Sequence, residues 1–272
     1  MKPAIAQAAW ERRLERTRVL RQPHDASVEI LKFYERVLVF QGEIYREVAA
    51  SRNGDSPLDW SSATPARRPE LLARFKEFLA LIRRVGPQAT MDVAATLQGR
   101  SPQEWRACLE DAWVRGVQQH GKGEAEALLV RTFLQPYAEW ESRALANDNT
   151  TDGRLCPACG RKPGLTVLRQ QGDGGKRSLV CSFCLTEWEF RRILCAGCGE
   201  EDHRKLPVYV ADSAFDYIRL ECCDACNQYL KAIDLTRNGL AEPVVDEIAA
   251  VALDLWAQEK GYTKIAPNLM GL

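Results

Sequence analysis

Histidine is scarce, with three in 272 residues, and net charge is absent, since 37 Lys and Arg balance 37 Asp and Glu. So few imidazoles give little support to a Cys–His nucleophile pair. His24, His120 and His203 have no partner at ligand spacing and are expected on loops or the surface. A neutral chain has no whole-molecule field to draw in a polyanion. Long apolar runs are missing too: even Ile248 to Trp256 is interrupted by Asp254, so no membrane insertion is expected. Met1 to Arg18 is dense in charge and lacks the apolar stretch of a signal peptide, which leads us to expect a cytoplasmic protein. Neither a dinucleotide fingerprint nor a phosphate loop occurs; Asp173-Gly174-Gly175-Lys176 is too short and reads as a hairpin turn. No catalytic constellation emerges, and the expectation is a protein that is not an enzyme.

What is abundant is cysteine. There are ten, nine of them between Cys156 and Cys226. In a reducing compartment cysteine pairs serve metal binding or redox chemistry more often than structural disulfides. Cys108 stands apart between Trp105 and Leu109 and reads as a structural thiol, because an unpaired cysteine packs as a small apolar residue.

Residues before the cysteines read as helices. Ser27 precedes a run in which Val28, Leu31, Tyr34, Val37, Leu38, Ile44, Tyr45 and Val48 recur at helical spacing. Arg52 to Ala66 is a loop by composition, and Pro69 opens a segment that stops at Gly86-Pro87. Gln88 to Leu97 forms a short helix. Ser101-Pro102-Gln103-Glu104 has capping-box spacing and heads a helix that buries Trp105, Leu109, Trp113 and Val117. Glu124 to Leu145 follows, with Pro136 inside it. Trp105, Trp113 and Trp140 are expected in the core. Asn147 to Gly153 is polar and turn-prone, the best linker in the chain.

Four Cys-x-x-Cys pairs come next: Cys156/Cys159, Cys181/Cys184, Cys195/Cys198 and Cys223/Cys226. The gaps between successive pairs are 21, 10 and 24 residues. That wide–narrow–wide rhythm predicts two four-cysteine sites, the first pair joining the second and the third joining the fourth. Leu165 to Gln171 and Lys176 to Cys181 flank a glycine-rich turn as a β-hairpin, and Val208 to Ala211 with Tyr217 to Cys222 match them in a second copy. Each repeat is too small to stabilise itself by apolar burial. Four thiolates on one ion replace the missing core, contributing on the order of 10–16 kcal/mol for zinc in small peptides. Gly160 and Gly199 follow the second cysteine of their pairs, where a left-handed residue eases the turn; Asn227 stands at that place in the fourth pair and tolerates it. Spacing favours Cys223 over Cys222 as the ligand. Four sulfurs select iron or zinc without distinguishing them.

This pattern resembles the FdhE family of formate dehydrogenase accessory proteins. The resemblance rests on the four pairs in this spacing, on Glu221-Cys222-Cys223-Asp224-x-Cys226-x-x-Tyr229-Leu230-Lys231, and on the tail from Glu259-Lys260-Gly261-Tyr262 to Pro267-Asn268-Leu269-Met270-Gly271-Leu272. It implies an α+β chain: a helical bundle (1–150), two tandem rubredoxin-like or zinc-ribbon-like modules (151–192 and 193–240), and a C-terminal helix and tail (241–272). It further implies two iron ions, one in each tetrathiolate site, with zinc the alternative, and a non-catalytic role in maturing formate dehydrogenase through binding of its catalytic subunit.

Two rival readings remain. A zinc-ribbon nucleic-acid-binding protein is disfavoured by charge, since residues 152–240 carry 13 Lys and Arg against 12 Asp and Glu. A rubredoxin-like electron-transfer protein requires a potential that the sequence does not encode legibly. Val244 to Gln258 reads as one helix that ties the halves together, and the tail is apolar enough to dock on the surface or meet a partner. Replacing Cys156 or Cys223 by Ser is expected to unfold one module and leave the helical domain folded.

Overall fold

The computed structural model describes residues 3–21, 27–51, 68, 70–114, 124–145, 153–172, 174–210 and 215–271. The Arg52–Ala66 loop, His24, His120, Pro69, Val117, Asp173 and the linker from Asn147 to Asp152 lie outside them.

Six helices come first: α1 (Pro3–Leu20), α2 (Val28–Ser51), α3 (Leu71–Val85), α4 (Gln88–Gln98), α5 (Pro102–Val114) and α6 (Glu124–Leu145). The capping box forms as its spacing requires. Glu104 accepts from the Ser101 amide at 2.8 Å, and Ser101 Oγ accepts from the Glu104 amide at 3.3 Å. Between Leu129 and Glu139 every residue of α6 is buried, so this helix is the axis of the bundle. Phe75, Phe78 and Leu79 of α3, Trp105 and Trp113 of α5, and Phe133 and Tyr137 of α6 fill the core around it. Trp140 is partly buried against the same core. α1 buries Trp10 and Thr17, and ion pairs fasten it: Arg13 grips Glu139 with two hydrogen bonds of 2.8 and 3.0 Å.

The cysteine-rich half is one seven-stranded sheet. Its strands are β1 (Pro163–Gln171), β2 (Gly174–Cys181), β3 (Glu187–Glu189), β4 (Val208–Val210), β5 (Ile218–Cys223), β6 (Gln228–Asp234) and β7 (Thr263–Lys264). The order is β3-β2-β1-β6-β5-β4, with β7 also on β6. Each repeat supplies an antiparallel set, as the internal repetition predicts. The two sets are then joined by a parallel seam in which Thr166, Val167 and Leu168 of β1 face Ala232, Ile233 and Asp234 of β6. Across the same junction Arg177 of β2 bonds Glu221 of β5 at 3.0 and 2.7 Å. The repeats are sequential along the chain and continuous in the sheet.

The C-terminal helix departs from expectation. Instead of one helix there are two, α7 (Pro243–Ala249) and α8 (Val251–Glu259), broken at Ala250, whose ψ of 39° lies far from the helical value. The cause is an insertion from the sheet: the buried Lys231 ammonium donates to the carbonyls of Glu247 and Ala250. Held by that cation, the Glu247 carbonyl leaves the helical ladder, and the Ala250 carbonyl takes the Leu253 amide at 3.1 Å, one residue short of the helical bond. α7 does tie the halves together, packing on α1, α2, β1 and β6. The tail docks within the chain. Arg131 of α6 donates to the carbonyls of Pro267 and Asn268 at 2.7 and 2.6 Å, and Thr132 donates to that of Leu269 at 3.1 Å. Among the described residues no helix is long and apolar enough to cross a membrane.

Candidate metal centre

Each Cys-x-x-Cys pair sits in a tight turn. The Cys156 amide bonds the Arg161 carbonyl and the Gly160 amide bonds the Cys156 carbonyl; Cys195, Glu200 and Gly199 repeat the arrangement. The turns close on a left-handed residue in all four cases: Gly160 (φ 71°), Leu185 (57°), Gly199 (84°) and Asn227 (53°). Leu185 escapes a sequence reading, because a leucine there carries a strain of about 1–2 kcal/mol that only the surrounding turn sustains. Main-chain donors reach the sulfurs from Phe183 to Cys181 at 3.4 Å, and from Gly197 and Cys198 to Cys195 at 3.3 and 3.4 Å. Such donors stabilise thiolate over thiol.

The turns converge as the spacing predicts. Cys156, Cys159, Cys181 and Cys184 form one cluster, and Cys195, Cys198, Cys223 and Cys226 the other; within each, all sulfurs lie within 4.8 Å of one another. Sulfur–sulfur distances are 3.5 Å (Cys156–Cys184), 3.4 Å (Cys159–Cys181), 3.8 Å (Cys195–Cys226) and 3.7 Å (Cys198–Cys223). Four sulfurs about 2.3 Å from a central ion stand about 3.8 Å apart along a tetrahedron edge. Both donor sets therefore fit a four-coordinate ion of the soft or borderline class, iron or zinc, and a filled set leaves no open position for substrate.

The surroundings of the two clusters differ. The first belongs to the helical core: Cys156, Cys181, Cys184 and Phe183 pack with Trp113 and Leu109. Trp113 meets Phe183 edge-on at 5.9 Å. Arg161, one turn beyond Cys159, stacks on Phe183 at 4.1 Å and donates to the Ala112 and Trp113 carbonyls at 2.7 and 2.8 Å, closing the end of α5. Burial pushes the Cys181 and Cys184 thiols well up. Burial opposes ionisation at Cys159 as well, but hydrogen bonds from its three cluster mates and the Arg161 charge hold that thiol well below the usual range. The first module is thus packed against the helical core. In the second cluster Cys195 and Cys223 are buried, Cys226 is half-buried and Cys198 is exposed, and Ala196 of its first turn reaches the helical core.

Cys222 faces away from the second cluster and packs with Leu220, Tyr229 and Ala257; burial pushes its thiol up to about 12. Cys108 is half-buried against the helical core, and burial raises it to about 11. His203 lies in a 3-10 turn (His203–Lys205) and its side chain is exposed.

One buried constellation was missed by sequence reasoning. Lys231, completely inaccessible, pairs with Asp254 at 2.5 Å and Glu247 at 3.0 Å. Lys264 bonds Glu247 and lies 3.2 Å from Asp254. Tyr229 donates to Asp254 at 2.8 Å and Asn268 to Glu247 at 2.8 Å. Two cations and two carboxylates from β6, β7, α7 and α8 thus neutralise one another. Desolvation works against Glu247, yet Lys231, Lys264 and Asn268 hold it down at about 2. The signal was present: Lys231 interrupts an apolar run whose residues Tyr229–Ile233 are all buried, and a charge in that position needs partners.

Comparison with known proteins follows the same division of the chain. The FdhE central-domain family matches residues 155–192 and the FdhE C-terminal-domain family matches residues 193–270, one for each cluster. A protein FdhE homolog of Aquifex aeolicus is 29% identical over 95% of this chain and 94% of its own. A homolog of Edwardsiella ictaluri is 27% identical over 96% and 88%. The crystal structure of the FdhE protein from Pseudomonas aeruginosa superposes with a TM-score of 0.68 at 24% identity, covering 97% of this chain and 95% of that one, and shows that the fold is shared. Consecutive FdhE domain families thus match both four-cysteine clusters, and FdhE homologs align with this chain nearly end to end.

Proposed function

We propose that this protein is a non-catalytic accessory factor for formate dehydrogenase, acting in the cytoplasm through binding of the enzyme's catalytic subunit during its maturation. The observation that carries the reading is the pair of closed four-cysteine clusters inside matched FdhE domains. Cys156, Cys159, Cys181 and Cys184 would hold one iron ion, and Cys195, Cys198, Cys223 and Cys226 a second; zinc is the other ion this donor set accepts. Bound there, an ion cross-links two turns of each repeat, and a one-electron couple is available if it is iron. Because four sulfurs complete a tetrahedral shell, the sites support rigidity and recognition better than substrate chemistry.

The test has two parts. Protein purified without air should contain about two ions per chain and, for iron, thiolate-to-metal charge-transfer absorption in the visible. Tagged protein expressed beside a formate dehydrogenase catalytic subunit should retain that subunit. A colourless protein with two zinc ions removes iron from the reading, and failure to retain the subunit under both metal conditions removes the accessory role.

A further inference from the structure

We infer that the two clusters are unequal in kind: the second is an exchange-competent centre that small anionic ligands approach through an arginine-lined cleft, whereas the first is locked and structural. This rests on the reading that both clusters hold metal.

Accessibility is the first observation. In the first cluster Cys159 is half-buried, while Cys156, Cys181 and Cys184 are each 1% exposed, within the same core as Trp113 and Phe133. Arg161 staples that turn to the end of α5, and the Ser142 hydroxyl of α6 lies 3.4 Å from the Cys184 carbonyl. A ligand can reach those sulfurs only if the helices separate from the sheet, which is a large, cooperative opening. In the second cluster Cys198 is exposed and Cys226 half-exposed, both on turns at the sheet margin. There a single sulfur can detach while the remaining three stay in place. Cys198 Sγ leaves the ion and takes a proton from solvent as the incoming donor atom takes its position; no electron changes hands.

The second observation is a cleft of about 90 Å³ between the two repeats, lined by Cys195 and Cys223 together with Arg177, Arg192, Arg219 and Glu221. Arg177 and Arg219 both bond the Glu221 carboxylate, Arg219 at 3.2 Å. Three arginines and one glutamate thus line the cleft. Arg192 is exposed and has no partner among the described residues, and the buried Arg219 Nε has none. Unmatched cationic donors in a cleft concentrate small anions at its mouth and offset the net negative charge of four thiolates on a divalent ion; Cys195 and Cys223, the buried members of the second cluster, line this cleft. The ligand class is a small anion bearing a carboxylate or thiolate donor.

The full chain loaded with zinc tests this. A brief pulse of iodoacetamide followed by peptide mapping should mark Cys198 and Cys226 at least about tenfold faster than Cys156, Cys181 and Cys184. Zinc released to a colorimetric chelator should appear in two phases of one ion each, with only the fast phase lost in Cys198→Ser. Iodoacetate, which has the size of iodoacetamide but carries a charge, should gain on it at Cys195 and Cys223, which line the cleft, and Arg192→Ala with Arg219→Gln should remove that gain several-fold. Equal labelling of both clusters, single-phase release, or first-cluster cysteines reacting first overturns the inequality. An unchanged iodoacetate preference in the arginine variant overturns the cleft as the anion's approach. A chain that binds no zinc refutes the metal reading itself, and labelling order on that chain still decides whether the second cluster is the accessible one.

Discussion

Replacing Lys231 by Met tests whether the buried charges at the C-terminal junction work as one unit. The side chain is fully buried, and its ammonium serves Asp254 at 2.5 Å, Glu247 at 3.0 Å and two helix carbonyls. Methionine fills nearly the same volume, so little cavity is created. What remains is two carboxylates with Lys264 as the one cation of the network beside them, and a Glu247 carbonyl without its ammonium donor. Removing one partner from a buried ion pair costs about 3–5 kcal/mol, since the charge left behind keeps its desolvation penalty. For a chain of this size that lowers Tm on the order of 10 °C. Adding Asp254→Asn restores charge balance and retains an acceptor for the Tyr229 hydroxyl, so the double variant should recover at least half of the loss. Urea unfolding followed by far-ultraviolet circular dichroism, run as a double-mutant cycle, measures both. A single variant within about 1 kcal/mol of wild type, or a double variant no better than the single, would refute a coupled network.

The same network carries a pH signature: Glu247, held at about 2, contributes stability that is complete above its unfolded value near 4.3 and is lost as pH falls toward 2. Acid titration of the unfolding free energy should therefore slope downward between those values, and Glu247→Gln should flatten part of the slope. Cys156→Ser should release one ion and also disturb Trp113, seen as a shift in tryptophan emission, because Phe183 and Arg161 hold the first cluster against α5. Cys223→Ser should release one ion with the Trp113 signal retained; equal disturbance by both contradicts the separate seating. Arg131→Met should free the tail from α6, speeding amide exchange around Met270 while the ion count stays unchanged.

The cluster pairing was legible because it is written locally. Two cysteines three residues apart share a turn, and the gap lengths dictate which turns can meet. Helix periodicity likewise identified the core faces of α2, α3 and α5, and Ser101 with Glu104 announced a helix start. The parallel seam between β1 and β6 was not legible, since Thr166–Leu168 and Ala232–Asp234 pair across the entire second repeat and leave no short-range pattern. The break at Ala250 was hidden for a related reason: its cause, Lys231, sits on another element. Leu185 shows the limit of residue preference, because the turn imposes a left-handed conformation on a side chain that local propensity would not place there. By composition the tail could dock on the surface or meet a partner, and its hydrogen bonds to Arg131 and Thr132 show that it docks within the chain.

The seam also sets an order on biosynthesis. β1 leaves the ribosome long before β6, its partner on one side, and at about 5–20 residues per second that edge waits several seconds for the rest of the second repeat. An uncovered apolar strand edge is a template for aggregation. β6 begins two residues after Cys226, the last sulfur of the second cluster, so the ion that gathers those cysteines would also deliver the strand that seals β1. In a metal-starved cell the newly made chain would then fail by self-association at this edge before any deficit in its action on a partner could be observed.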